Sequence, residues 1–270
     1  MKRRSALAWL CLAGAGAGAG MGAGASAADG DAPPLDPQNS TYVQHLGAQL
    51  PESARFRDAD DRWVRIAELA HGRPMILVAD YFRCRNLCGI VRASLYGALR
   101  KADLKAGHDY VIAVMSIDPS ETSGQARAAA DVDAVPLALP GADKSVHYLT
   151  GGAADIRAVA QAVGFRAQFD PRTRQFMHPA GLVFLTPHGI VSSYLLGVTY
   201  TPPQIRAALD RARLEGIAAA AAPILLVCFH FDAATGRYTL EIMKVLRLAA
   251  VLTVLVLGGT LLLIGRERHP

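Results

Sequence analysis

The sequence lacks the short motifs that mark several common classes of enzyme. It contains no G-x-S-x-G nucleophile motif, no P-loop and no H-E-x-x-H zinc motif. Its formal net charge of +5 is spread thinly, without a stripe of lysine and arginine interleaved with aromatic residues. Catalytic machinery of these kinds is therefore not visible, and nucleic-acid binding is not indicated.

Cysteine is scarce, with four residues in a chain of 270. Two of them, Cys84 and Cys88, follow an apolar run over 75–82 that is typical of a buried strand. The segment after them, 88–104, is compatible with a helix. On a helix, residues four apart lie on one face, one above the other. Two sulfurs in that arrangement can close a disulfide or bind one soft metal ion, and the spacing alone does not choose between the two.

The N-terminus has the layout of a secretory signal peptide. A basic head over 2–4 precedes an apolar stretch over 7–12, and a small-x-small cleavage signal stands at 25–27. We expect residues 1–27 to be removed, and Cys11 with them. Three cysteines then remain in a compartment where disulfides persist, and the odd number leaves at least one thiol unpaired within the monomer.

The C-terminal region predicts a membrane anchor. Residues 248–264 are seventeen positions without a charge, and a bilayer span needs about 17–25 apolar residues. We expect a transmembrane helix over 244–264, after a juxtamembrane hairpin over 215–243 and before a cytoplasmic tail over 265–270. Together with the signal peptide, this predicts a single-pass protein of the bacterial inner membrane with its main domain in the periplasm.

Between the two ends, hydrophobic patterning predicts one α/β domain. Residues 28–55 are rich in Asp, Pro and Ala, and are expected to be a tether with little core. Residues 56–214 have the usual size of one layered domain of strands and helices. The predicted strands cover 56–66 (a pair), 75–82, 110–117, 146–149, 181–186 and 191–196, and the predicted helices cover 88–104, 122–131, 153–163 and 203–214.

This order of elements, with paired cysteines at the first long strand-to-helix junction, resembles the thioredoxin fold. The C-x-x-x-C spacing of Cys84 and Cys88, the run Ser116-Ile117-Asp118-Pro119 and the position of His178 before strand 181–186 resemble the Sco/SenC family. The resemblance implies a thioredoxin-like fold with copper held by Cys84, Cys88 and His178. It also implies help in loading the dinuclear copper centre of cytochrome c oxidase subunit II, or of another copper-receiving protein.

The residue types suit that chemistry. Thiolates are soft and suit Cu(I), while imidazole accepts either copper oxidation state. A helix N-terminus favours thiolates, and Arg83 and Arg85 add positive charge nearby in the sequence. The same thiols also suit a membrane-anchored thiol-disulfide oxidoreductase that reduces a partner's cysteines. A purely structural disulfide is the third interpretation. The copper interpretation also requires a thiol reductant protein, because the thiols must be reduced in an oxidising compartment.

Three further residues have open roles. Asp118 either orients the site or caps the turn after it, and we favour the turn. Cys228 and His230 are two apart in the predicted hairpin, so on a strand both would point to one face. We hypothesise an auxiliary copper site there, against the alternative of a half-buried strand with a free thiol.

Overall fold

The computed structural model describes residues 35–36, 39–84, 88–137, 141–221 and 247–257, without the side chains of 88, 135–137 and 143. The expected signal peptide, the pair Cys228 and His230, and the tail over 265–270 lie outside the described residues.

The described part of the main domain alternates strands and helices, as the patterning predicts. The strands are β1 (Arg55–Arg57), β2 (Trp63–Arg65), β3 (Met75–Asp80), β4 (Val111–Ser116), β5 (Val146–Gly151), β6 (Gln168–Asp170), β7 (Gln175–Met177), β8 (Gly181–Leu185) and β9 (Val191–Leu196). The helices are α1 (Cys88–Arg100), α2 (Ser123–Leu137), α3 (Ala153–Ala162) and α4 (Pro202–Arg213).

Seven strands form one sheet in the order β2-β1-β5-β4-β3-β8-β9. The central strands β3, β4 and β5 are parallel, whereas β8 runs antiparallel to β3 and β9 antiparallel to β8. Parallel neighbours need crossover connections, which the helices α1 and α2 supply. This arrangement is thioredoxin-like, and it confirms the α/β fold that the order of elements predicts.

Strand β3 separates two hydrophobic cores. Successive side chains of a strand point to opposite faces, so Met75 and Leu77 enter one core while Ile76 and Val78 enter the other. Helix α3 covers the first face, and helices α1, α2 and α4 cover the second. Every residue of β3 is buried, which explains why it reads as a continuous apolar run rather than an alternating one.

The strand register brings three loops to one end of the sheet. Asp80, the last residue of β3, lies beside Ser116, the last residue of β4. Leu77 pairs with Val183 in the antiparallel neighbour β8, so the start of β8 lies next to the end of β3. The β3–α1 loop, the β4–α2 loop and the residues before β8 therefore meet at the same edge.

The segment before β1 belongs to the core, which its composition did not predict. Tyr42 and Leu50, within the expected tether, are buried among residues of the first face. The Val43 N–H donates to the Gly164 carbonyl at 2.8 Å. Gly164 has a φ of 61°, and a Cβ there would lie 1.6 Å from the Val43 carbonyl oxygen. Only glycine permits this close approach of two backbones.

A second small sheet, β6 paired with β7, was also not predicted. Its strands have three residues each, too few for a periodic pattern. Asp170 closes the turn by accepting hydrogen bonds from the Arg172 N–H at 3.0 Å and the Thr173 hydroxyl at 3.1 Å. The hairpin ends at Met177 and so delivers His178 to the sheet edge described above.

The predicted C-terminal transmembrane helix over 244–264 is wrong. In the part of the chain that the structure describes, no helix combines the length and the apolar character needed to cross a bilayer. Within this segment, a helix is described over 247–257.

The packing of the segment before β1 gives a test of stability. Leu50 is fully buried, so Leu50→Ala should lower the free energy of unfolding by about 2–4 kcal/mol through lost burial and a cavity. Val43→Ala, at a side chain 37% exposed, is the control and should cost less than about 1 kcal/mol. Urea unfolding measures both. Equal, small effects would mean that this segment contributes nothing to the core.

Candidate functional site

Cys84 lies in the tight turn that leaves β3. Its N–H donates to the Tyr81 carbonyl at 3.2 Å, which closes a four-residue turn. The side chain is half-buried and packs against the first core. Cys84 is in a disulfide bond. Cys88 is the first residue of α1, but its side chain lies outside the described part. The structure therefore represents an oxidised form, and Cys84 can offer a thiolate only after reduction.

His178 is buried, with 4% of its surface exposed. The imidazole Nδ1–H donates to the Pro179 carbonyl at 3.1 Å. Because a carbonyl only accepts, this bond fixes the proton on Nδ1 in the neutral ring and leaves the lone pair on Nε2. Burial lowers the pKa of His178, against the opposing effects of Asp80 and the Pro179 carbonyl. A neutral imidazole oriented through its other nitrogen is the form that ligates a metal.

Tyr81 connects the histidine to the cysteine turn. Its ring lies 5.7 Å from the His178 ring, edge-on, and 5.6 Å from Phe176 of the β6–β7 hairpin. Tyr81 is also the residue whose carbonyl binds the Cys84 N–H. The structure thus brings the Cys84 turn and His178 to one end of the sheet.

The full ligand set of Cys84, Cys88 and His178 stays a prediction. Among the side chains that the structure describes, no three His, Cys, Asp or Glu residues form a group able to hold a metal ion. That set does not include the Cys88 side chain, which is one of the three predicted ligands.

Glu121 lies in the β4–α2 loop and accepts hydrogen bonds from the cysteine turn. The sequence did not identify this residue. One carboxylate oxygen accepts hydrogen bonds from the Phe82 N–H at 2.8 Å and the Ser116 hydroxyl at 2.6 Å. The other accepts the Arg83 N–H at 2.7 Å. The Glu121 side chain is fully buried. A weak signal was present, because an acid a few residues after a buried parallel strand falls at the functional edge of such sheets.

The sequence predicts that the positive charge of Arg83 favours the thiolates. In the structure this charge is paired with carboxylates instead. Its guanidinium pairs with Asp118 at 2.5 Å and approaches Glu121 at 3.6 Å. Although burial favours the neutral acid, Ser120 and Arg83 hold the pKa of Asp118 below its usual value. Asp118 accepts the Ser120 N–H at 2.9 Å. It therefore caps the turn, as favoured above, and also anchors Arg83.

A buried ion network underlies the first turns of α1. The Arg92 guanidinium bonds to Asp80 at the end of β3 and to Asp133 of α2, the latter at 2.5 Å. The Tyr148 hydroxyl donates to Asp133 at 2.8 Å. Burial opposes the charge of Arg92, but Asp80 and Asp133 outweigh it and raise its pKa. Arg92 follows Cys88 by four residues, so both lie on the same side of α1.

A cleft of about 330 Å³ opens beside Cys84. It lies between the cysteine turn, the start of α1 and the exposed side of α2, where Val132 is 74% exposed. Gly89 and Gln125 are among its lining residues. Cys84, which is half-buried, is also among them.

Comparison of the sequence with protein-family models and with curated proteins finds no match. Among solved structures, a candidate electron transfer protein from Aquifex aeolicus VF5 is 24% identical, with a TM-score of 0.57 over 63% of this chain and 96% of that one. A SCO1/SenC family lipoprotein from Bacillus anthracis str. Ames is 17% identical, with a TM-score of 0.52 over 63% and 98%. ScoI from Bradyrhizobium japonicum, solved with copper bound, is 19% identical, with a TM-score of 0.49 over 62% and 99%.

The Bacillus anthracis match covers nearly the whole of that protein. The chain therefore has the thioredoxin-like fold of a SCO1/SenC family structure. At these identities the likeness concerns the fold, and the chemistry must be argued from the residues.

The lowered pKa of His178 predicts a pH-dependent stability. The unfolded chain takes up a proton near the ordinary pKa of 6.5, whereas the folded chain does so only at lower pH. The stabilising contribution is therefore complete above pH 6.5 and is lost as the pH falls towards the folded pKa. Urea unfolding at pH 7.5 and 5.5 should show a smaller loss for His178→Asn than for the wild type.

His188→Asn is the matched control, because the His188 side chain is 78% exposed. It should lose more stability between the two pH values than His178→Asn does. His147, whose pKa is also lowered by burial, contributes equally in all three proteins. Identical losses in the wild type and His178→Asn would contradict a neutral, buried His178.

Proposed function

We propose that the chain belongs to the Sco/SenC family and is a copper-binding protein of cytochrome c oxidase assembly. Its ligands are Cys84, Cys88 and His178. The copper is cargo, which the protein delivers to the dinuclear centre of subunit II or uses to prepare that centre. The fold shared with a SCO1/SenC structure supports the family assignment, and the residues of the site support the metal.

One observation carries the proposal. A buried histidine with its proton fixed on Nδ1 has its ring against Tyr81, whose carbonyl holds the Cys84 turn. Such an imidazole has no evident use in thiol-disulfide exchange, for which two thiols suffice. It is the form of histidine that binds metals, and together with two thiolates it completes a three-coordinate site suited to Cu(I).

The described charges around the turn oppose a free thiolate. Among the side chains that the structure describes, two guanidinium groups contact this region, and four carboxyl groups face them. These groups are Arg83 and Arg92 on one side, and Asp80, Asp118, Glu121 and Asp133 on the other. An excess of carboxyl groups disfavours free thiolates and so raises the cost of the deprotonation that copper binding requires.

The disulfide at Cys84 must be reduced before copper can bind. A dithiol partner transfers two electrons and two protons to the disulfide, which becomes two thiols while the partner becomes a disulfide. The thiols then lose their protons on binding the metal. A thiol reductant protein is therefore a required partner. We place this chemistry in the bacterial periplasm, supported by the signal-peptide pattern and by the disulfide.

A thiol-disulfide oxidoreductase is the second candidate function. The disulfide of Cys84 and the cleft beside it favour this alternative. In that case the pair Cys84 and Cys88 is redox-active and reduces the cysteines of a partner. The two functions differ in their need for His178.

Titration of the reduced full-length protein with Cu(I), against a competing chelator, separates the two functions. The wild type should bind one Cu(I) at this site, and His178→Ala should bind it at least about tenfold more weakly, because one of three ligands is lost. His188→Ala, which removes an exposed histidine, should bind like the wild type. Disulfide exchange with a small dithiol should persist in His178→Ala. Equal Cu(I) affinities of His178→Ala and the wild type would overturn the ligand set.

A further inference from the structure

The hydrogen-bond donors of the Glu121 carboxylate lie in the Cys84 turn and at the end of β4, outside its own loop. Two of its hydrogen-bond donors are the backbone N–H groups of Phe82 and Arg83, the central residues of the turn that the Cys84 N–H closes. A third is the Ser116 hydroxyl, at the end of the neighbouring strand. One carboxylate thus satisfies both inner amides of a turn that belongs to another loop.

Nothing else described in the structure binds these two amides. Both hydrogen bonds are partly buried and have a carboxylate acceptor. Hydrogen bonds to a charged acceptor are among the stronger ones in proteins, so the turn relies on Glu121 for its conformation. The side chain is fully buried and held by Ser116, which leaves it little freedom to move. The position of the Cys84 backbone is therefore set by a residue of the β4–α2 loop.

We propose that Glu121 is a positioning residue for Cys84. It holds the turn in the conformation that keeps the Cys84 sulfur in place. Glu121 thereby stabilises the disulfide against reduction, and presents the reduced sulfur to copper. The second half rests on the proposed function, whereas the first concerns the disulfide alone.

Two variants separate hydrogen bonding from charge. Glu121→Gln removes the charge and replaces one accepting oxygen by an NH₂ group that faces another donor. Glu121→Asp keeps the charge and both oxygens but is one methylene shorter. Asp131→Asn is the matched control, because it removes a negative charge from an exposed position of α2.

The first measurement needs no copper. The full-length protein is equilibrated with graded ratios of reduced to oxidised dithiothreitol, and the fraction of free thiol at Cys84 is read by alkylation and mass spectrometry. For Glu121→Gln, we expect the equilibrium to move towards the dithiol by about fivefold or more, because the hydrogen bonds that hold the turn in its disulfide-bonded conformation are weakened. Glu121→Asp should fall between Glu121→Gln and the wild type, and Asp131→Asn should lie within about twofold of the wild type.

The second measurement is Cu(I) affinity of the reduced proteins. Loss of positioning predicts that Glu121→Gln binds Cu(I) about tenfold more weakly, as for other residues that orient a metal ligand. Loss of charge alone predicts the opposite, because thiolates form more easily. Circular dichroism and urea unfolding confirm that the compared proteins are folded.

The results have distinct meanings. A wild-type reduction equilibrium in a folded Glu121→Gln or Glu121→Asp protein would overturn the proposal, even if the variant is less stable. Tighter Cu(I) binding by Glu121→Gln would overturn the positioning role and leave a charge effect. If the wild type itself fails to bind Cu(I), the proposed function fails, and the dithiothreitol equilibrium still decides the role of Glu121.

Discussion

The candidate site depends on the ion pairs that the buried guanidinium of Arg92 makes. This guanidinium joins the end of β3, through Asp80, to helix α2, through Asp133. Because Arg92 belongs to α1, the same contacts fix the helix that begins at Cys88. A buried ion pair adds little net stability, but removal of one partner leaves an uncompensated charge that costs about 3–5 kcal/mol. The network therefore specifies where α1 sits more than it stabilises the fold.

The strand order of the sheet brings the other groups of the candidate site together. Parallel pairing of β3 with β4 places the β3–α1 and β4–α2 loops side by side, so Glu121 can reach the amides of the cysteine turn. Antiparallel pairing of β3 with β8 brings the residues before β8 to the same edge, and His178 with them. Ligand sites at the carboxyl ends of strands are general in open α/β sheets. In this chain, each of the three loops contributes one group with a different chemical role.

Much of the fold could be predicted from the sequence, because buried parallel strands such as β3 leave a continuous apolar run. The C-x-x-x-C spacing and the position of His178 also pointed to the site, through a resemblance rather than through pattern. Short elements were missed, because the three-residue strands β6 and β7 are too short to show a hydrophobic alternation in the sequence. Glu121 was missed because its partners are backbone amides, which every residue carries. The predicted transmembrane helix was wrong, because no helix in the described part of the chain is long and apolar enough to cross a bilayer.

The dispersed origin of the site has a consequence for the order of events in biogenesis. Cys84, Glu121 and His178 come from three segments that become neighbours only when the sheet has formed. An extended chain offers two nearby thiols, with neither the oriented imidazole nor the carboxylate that shapes the turn. On the proposed function, metal capture therefore requires completed folding, and a partner that tests for copper also tests whether the protein is native.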